Sequence, residues 1–202
     1  KGNAEIEPVY ARFASMKPEE IAADAQAMAI GERLFMNNCA QCHGSDARGG
    51  KSFPNLTDGD WLYGGSPETI RETLHQGRMG MMPPMGDAVG SAENVRNLAH
   101  YVMSLSNSPH DSLRANLGKE HFAACAACHG PDGKGNQALG APNLTDDIWL
   151  HGWGEAAITT MINHGKTNQM PAQAGKLTEA QLGVLTAYVW GLSNKPGAAA
   201  KR

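Results

Sequence analysis

Two stretches constrain this chain more than any others: "NNCAQCHGSDARGG", Asn37 to Gly50, and "AACAACHGPDGKGN", Ala123 to Asn136. Each holds two cysteines two residues apart, a histidine directly after the second, and then a glycine. The chain has four cysteines, Cys39, Cys42, Cys125 and Cys128, and all of them lie in these pairs. Three chemistries use the C-x-x-C spacing. A zinc ribbon brings two pairs together at a separation of typically ~15–20 residues, whereas 82 residues lie between Cys42 and Cys125. A thioredoxin-like pair opens a helix after a strand in a βαβ unit, and no parallel-strand pattern flanks either motif. The third is covalent attachment of c-type haem.

Histidine discriminates among them. With 8 histidines in 202 residues, the chance that both pairs are followed by one is on the order of one in six hundred, so the doubled C-x-x-C-H is a specific signal. Each thiol can add to a haem vinyl group, and the adjacent imidazole then reaches the iron from the same side. Cys39, Cys42 and His43 are therefore assigned to one haem c, and Cys125, Cys128 and His129 to a second. The bland reading is a pair of disulfides or a distant zinc site.

The repeat extends beyond the cysteines. "FPNLTDGDWLYGG" (Phe53 to Gly65) matches "APNLTDDIWLHGW" (Ala141 to Trp153), and "GRMGMMPPM" (Gly77 to Met85) matches "GKTNQMPAQ" (Gly165 to Gln173). Each half closes on a helical stretch, "LAHYVMSLS" against "LTAYVWGLS". A period this long is no solenoid and predicts tandem domains: a lead segment 1–30 with one helix after Pro18, a first domain 31–106, a polar linker 107–116, a second domain 117–195 and a tail 196–202. Gly31 and Phe35 are spaced as Gly118 and Phe122 are. Ser66 before Pro67 reads as a helix entry with Gly77 as its stop, and Thr178 with Gln181 as a capping box before a helical stripe of Leu182, Leu185, Val189 and Leu192. The expected fold is all-α. An ~80-residue domain has a small core of its own, so a buried porphyrin is expected to supply much of the apolar body.

A net charge of -3 argues against a nucleic-acid partner, which would leave a basic imbalance. No apolar run approaches the roughly 18 residues of a spanning helix. Because the chain starts at Lys1, a processed or excised start is expected, with room for an anchor ahead of it.

An iron that only transfers electrons carries a sixth ligand opposite histidine, and methionine raises its potential. In the aligned repeat Met82 and Met170 coincide, each five residues after a glycine and each before a proline. They are the expected distal ligands. Met79, Met81 and Met85 read as gap-filling side chains that rival Met82; Met161 and His164 are the rivals of Met170. Pro54 and Pro142 open the repeated "PNLTD", and their carbonyls are candidates to receive the second ring N–H of each proximal histidine. Trp61 and Trp149 could donate an indole N–H to a haem propionate, or serve as core aromatics. His75, His100, His110, His121 and His151 align with no other histidine and read as packing or surface residues. Whether each methionine serves the haem of its own half is open, since a tandem repeat can exchange its loops.

The C-x-x-C-H motifs, Met-Pro loops and closing Tyr-Val helices resemble the class I cytochrome c fold, twice. "EEIAADAQAMAIGERLFMNNCAQCHG", "IRETLHQGRMGMMP" and the doubled "PNLTD" with its following "WL" resemble the CcoP (FixP) family, the dihaem c-type subunits of cbb3-type haem-copper oxidases, over nearly the whole chain. The resemblance implies two haem c groups and single-electron relay from a donor cytochrome to other oxidase subunits that reduce oxygen to water, with no catalytic residue in this chain. It also implies a site on the periplasmic side of the bacterial inner membrane, reached through an anchor that this chain does not show. The rival expectations are a free periplasmic dihaem shuttle and a dihaem enzyme of the peroxidase type, which needs an open sixth position.

Overall fold

The computed structural model describes residues 3–194; the expected tail at 196–202 lies outside them. In chain order, α1 is Asn3–Phe13, α2 Pro18–Ala23, α3 Ala25–Asn38, α4 Ala40–His43, α5 Pro67–Gln76, β1 Arg78–Met82, α6 Gly86–Val89, α7 Ala92–Leu105 and α8 Ser112–Gly118. After a 3-10 helix at Lys119–Ala124 come α9 Ala126–His129, α10 Glu155–His164, β2 Lys166–Met170 and α11 Glu179–Asn194.

Side-chain caps set where the longer helices begin. The Asp24 carboxylate accepts the N–H groups of Gln26 and Ala27 at 2.9 and 3.0 Å ahead of α3, and Asp111 accepts those of Leu113 and Arg114 at 2.9 and 3.0 Å ahead of α8. Ser66 and Ser91 cap α5 and α7 in the same way. Thr178 and Gln181 form the expected reciprocal box before α11. Two expectations need amending. The stretch 107–116 is only partly a polar linker, because Asp111 starts a helix inside it. The lead segment holds α1 as well as the helix after Pro18, and its Phe13 is 3% exposed.

The chain is mostly helical, about 54%, but not all-α. β1 and β2 pair into a two-stranded antiparallel ribbon. The physical reason lies at its ends. Gly77 and Gly165 stop α5 and α10 with φ of 71° and 64°, a left-handed backbone that glycine adopts without penalty. Pro83 and Pro171 then end the strands, since proline donates nothing to a ladder.

Contacts divide the chain into two units that do not follow the expected sequential split into 31–106 and 117–195. One unit is Lys1–Arg78 with Met170–Arg202; the other is Met79–Gln169. The repeat survives as a sequence unit, yet each compact unit takes the first part of one half and the last part of the other.

In the first unit α11 packs against α3, α2, α5 and α1. A Cβ on Gly31 would stand 2.5 Å from Tyr188 Cβ, so α3 and α11 cross at a distance only glycine allows. One turn on, Phe35 is fully buried with its ring 5.7 Å from that of Tyr188. Ile70, Leu74, Leu182, Leu185 and Val189 complete this cluster. A second cluster, Phe13, Ile21, Ala27, Ile30, Val184 and Ala187, seats the lead helices on α11.

The second unit repeats the arrangement with the roles of the halves reversed. Here α7 packs against α8, the 3-10 helix and α10. A Cβ on Gly118 would fall 2.0 Å from the Asn97 carbonyl oxygen, and the Phe122 ring lies 5.3 Å from that of Tyr101. His100, 9% exposed, accepts the Asp111 N–H on Nδ1 at 3.0 Å and donates from Nε2 to Glu155 at 2.9 Å. That bond, with a second from Arg96, holds the Glu155 carboxyl below its ordinary range.

Because the neighbour of Gly118 is backbone and cannot rotate away, Gly118→Ala is expected to destabilise the second unit by about 1–3 kcal/mol, despite the better helix propensity of alanine. Thermal unfolding followed unit by unit checks this, and a neutral result would mean that the helix crossing is looser than described.

Candidate haem-binding sites

Each C-x-x-C-H motif is a single helical turn. Cys39 closes α3 and α4 follows it; Cys125 ends the 3-10 helix and α9 follows. The turn leaves one thiol of each pair half-buried, Cys39 and Cys125, and one exposed, Cys42 and Cys128, and all four are free. Burial, reinforced by the neighbouring Cys42, pushes the Cys39 thiol up to about 11, and Cys125 rises for the same reasons. That is opposite to the lowered thiol of a redox-active C-x-x-C pair. Among the described residues all four cysteines are free, and no group of three or more His, Cys, Asp or Glu side chains is placed to hold a metal ion.

His43 and His129 are buried at 8% and 7% exposure. Each turns Nδ1 toward the expected carbonyl, Pro54 O at 3.1 Å and Pro142 O at 3.0 Å. With Nδ1–H donating there, Nε2 is left as the lone-pair nitrogen of a neutral imidazole. Burial holds both rings below the ordinary histidine range, partly opposed by the proline carbonyls. The "PNLTD" motif explains how those carbonyls are aimed. Asn55 Oδ1 accepts the N–H and hydroxyl of Thr57 at 2.9 and 2.8 Å, and Asn143 does the same for Thr145 at 2.9 and 2.7 Å. Asp58 and Asp146 close the next turn on the N–H groups of Asp60 and Ile148. Two successive Asx-turns thus fix the backbone just after each proline.

The strands place the methionines differently. Along β1 burial alternates, so Met79 and Met81 point outward at 67% and 73% exposure while Met82 points inward. Met85 packs against the apolar cluster of the second unit. Met170 is half-buried and packs against the cluster of Phe35, Ile70 and Leu74, as Cys39, Ala40, Leu56 and Trp61 also do. Its rival His164 is exposed at the end of α10. The backbone repeats the same contact twice. An added Cβ at Gly77 would meet Met170 O at 2.4 Å, and one at Gly165 would meet Met82 O at 2.3 Å. Each Met-Pro loop therefore lies on the helix-stopping glycine of the other half.

Trp61 packs against the Phe35 cluster of the first unit and Trp149 against the apolar cluster of the second unit that includes Phe122. Trp149 Nε1 is buried without a partner among the described residues, as is Thr159 Oγ1. A buried indole N–H can only donate and is costly to leave unpaired, so it calls for an acceptor such as a propionate carboxylate. Of the other histidines, His75 bonds Glu179 and His151 accepts from Asn168 at 2.7 Å. Sequence reasoning missed Gln173, 6% exposed with its side chain bonded to the loop after Met170; its only signal was its place in the aligned "MPAQ".

A profile for the family described as cytochrome C oxidase, cbb3-type, subunit III, matches residues 26–102 and again 114–189. The chain belongs to this family. It is 60% identical over 201 residues to the cbb3-type cytochrome c oxidase subunit CcoP of Rubrivivax gelatinosus, covering 100% of this chain and 66% of that protein. It is 43% identical over 195 residues to the subunit FixP of Rhizobium meliloti (strain 1021), covering 90% and 67%. It is 40% identical over 173 residues to the CcoP of Cereibacter sphaeroides, covering 80% and 60%. The chain thus spans about two thirds of the length of these subunit III relatives, and among its described residues no helix is long and apolar enough to cross a membrane.

Proposed function

We propose that this subunit III chain relays single electrons from a donor c-type cytochrome toward the oxygen-reducing subunits of a cbb3-type oxidase, on the periplasmic side of the membrane. The anchor would lie in the part of the relatives that this chain does not span. The residues fit haem c: a buried neutral imidazole beside two free thiols in each half, and an orphaned buried indole N–H in the second unit. Cys39, Cys42 and His43 would hold one haem, and Cys125, Cys128 and His129 the other. When bound, haem c supplies a one-electron ferric–ferrous couple.

The pairing of distal ligands is the exchanged one. Met170 would cap the haem on Cys39 and Cys42, and Met82 would cap the haem on Cys125 and Cys128. The observation that carries this is that Met170 and Cys39 share one apolar cluster, while the Met82 backbone rests on Gly165 within the second unit. The Pro54 and Pro142 carbonyls orient the imidazoles, and Trp149 would donate to a propionate oxygen; Trp61 stands at the equivalent place in the first unit. A methionine held ready as distal ligand in each half would leave no open position for oxygen or peroxide, which favours a carrier over a peroxidase-type enzyme. The names of the relatives favour a subunit over a free shuttle.

The pyridine haemochrome assay on the full chain is expected to give two haem c per chain, with a methionine–iron charge-transfer band of matching intensity in the ferric protein. A single haem, or rapid cyanide binding by the untreated protein, would contradict the reading.

A further inference from the structure

We propose that Gln173 is a positioning residue that staples the Met170 loop in place and so sets how firmly that methionine stays on its iron. The proposal rests on the reading of Met170 as a distal ligand. Gln173 is a buried polar side chain in a loop, at 6% exposure, and three sets of bonds converge on it. Its side-chain amide donates to the Pro171 carbonyl at 2.8 Å. Its backbone N–H donates to Leu74 O, near the end of α5, at 2.8 Å. Its carbonyl accepts the N–H groups of Lys176 and Leu177 at 2.9 and 3.0 Å. The residue directly after Met170 is thereby tied by the same side chain that anchors the loop to the helix whose Leu74 shares a cluster with Met170.

The second unit solves the same problem differently, and the difference isolates the role. Met85 stands where Gln173 stands, and its N–H likewise donates to Ile162 O at 2.7 Å. Its thioether side chain packs into an apolar cluster and offers no amide to the Pro83 carbonyl. What that loop has instead is a second proline: "MPPM" against "MPAQ". Pro84 fixes its own φ covalently and restricts Pro83. In the first unit the corresponding residue is Ala172, with a freer backbone, and the Gln173 amide supplies the restraint. The Ala172 N–H donates no hydrogen bond among the described residues, and Ala172 lies over Gly77 as Pro84 lies over Gly165. Proline is therefore compatible at position 172.

The test uses the full dihaem chain and imidazole as the probe, a small ligand that binds ferric iron only when methionine leaves. Binding is followed by loss of the methionine–iron charge-transfer band, and the phase absent from Met170→His marks the haem that Met170 caps. Gln173→Ala is expected to raise imidazole affinity at that haem by about three- to tenfold, the range for one lost hydrogen bond, and to leave the other haem unchanged. Adding Ala172→Pro is expected to restore the original affinity, which a residue with only a general structural role would not permit. No gain, an equal gain at both haems, or no restoration overturns the proposal. Should Gln173→Ala fail to take up haem, Ala172→Pro alone is expected to slow imidazole binding at the Met170-capped haem, and an unchanged rate overturns it. If the loosened haem proves to be the one on Cys125 and Cys128, the exchanged pairing fails while the staple stands.

Discussion

Replacing Met170 by histidine is expected to lower the midpoint potential of the haem on Cys39 and Cys42, although Met170 lies far along the chain in the other half of the repeat. Imidazole stabilises ferric iron better than thioether does, and the expected drop is on the order of 0.1 V, well within the span that axial ligands command. Met82→His should act in the same way on the haem of Cys125 and Cys128. The assignment is read by combining Met170→His with Cys125→Ala and Cys128→Ala, so that one haem remains. A lowered potential in that triple variant supports the exchange. An unchanged one means that Met170 served the haem that was removed, and the domains are sequential after all. If neither methionine lowers a potential, the ligand assignment itself is wrong, and His164 or Met85 must be reconsidered.

The largest effect on folding should come from where the chain is cut. Met79–Gln169 is one continuous stretch and forms a unit of its own, with α7 against the 3-10 helix, Gly118 under Asn97, and Met82 on Gly165. Expressed alone in cells that attach haem c, it is expected to bind one haem through Cys125, Cys128 and His129 and to melt as one cooperative transition. A fragment cut at the repeat boundary, 117–195, keeps the same haem motif but loses α7 and with it the partners of Gly118 and Phe122. It should bind haem poorly and lack cooperative melting, because large apolar side chains such as Phe122 each lose burial of about 1.5–3 kcal/mol. Equal behaviour of the two fragments would return the boundaries to the repeat. The first unit is different in kind. Its two segments flank the second unit in sequence, so its closure must span a long insertion, at an entropic cost that grows only slowly with length.

Much of the site was legible in the sequence, since its chemistry depends on neighbours a few residues apart. C-x-x-C-H fixes a single turn, the proline before "NLTD" presents its carbonyl to that turn, and alignment of the halves singles out Met82 and Met170 from 10 methionines as the ligands proposed above. The pairing of the halves was not legible, for a reason internal to repeats. Gly31 and Phe35 need a tyrosine-bearing helix to cross, and both halves offer one: Tyr101 and Tyr188 are equivalent in pattern, and only the fold shows that Phe35 meets Tyr188 and Phe122 meets Tyr101. The ribbon was missed because five residues such as Lys166–Met170 carry no clear alternation of their own. α1 was missed because Pro8 interrupts its pattern, and the burial of its Phe13 depends partly on Val184 and Ala187, distant in sequence. Gln173 looked like any polar loop residue; what distinguishes it is burial, which composition does not encode.

Because the sequence of one unit interrupts that of the other, the two are completed in a set order during synthesis. Domains commonly fold as they emerge, the N-terminal one first. Here the motif made first, around His43, waits for Met170 and α11, which are made last, whereas every residue of Met79–Gln169 is already present when its partner still lacks its closing helix. A chain halted just after Gln169 would leave the later motif with its whole unit and the earlier one with its iron-binding face open. If the proposed ligand pairing holds, completion of the two units is expected to run backwards along the sequence, and termination ahead of Met170 to cost the first unit α11.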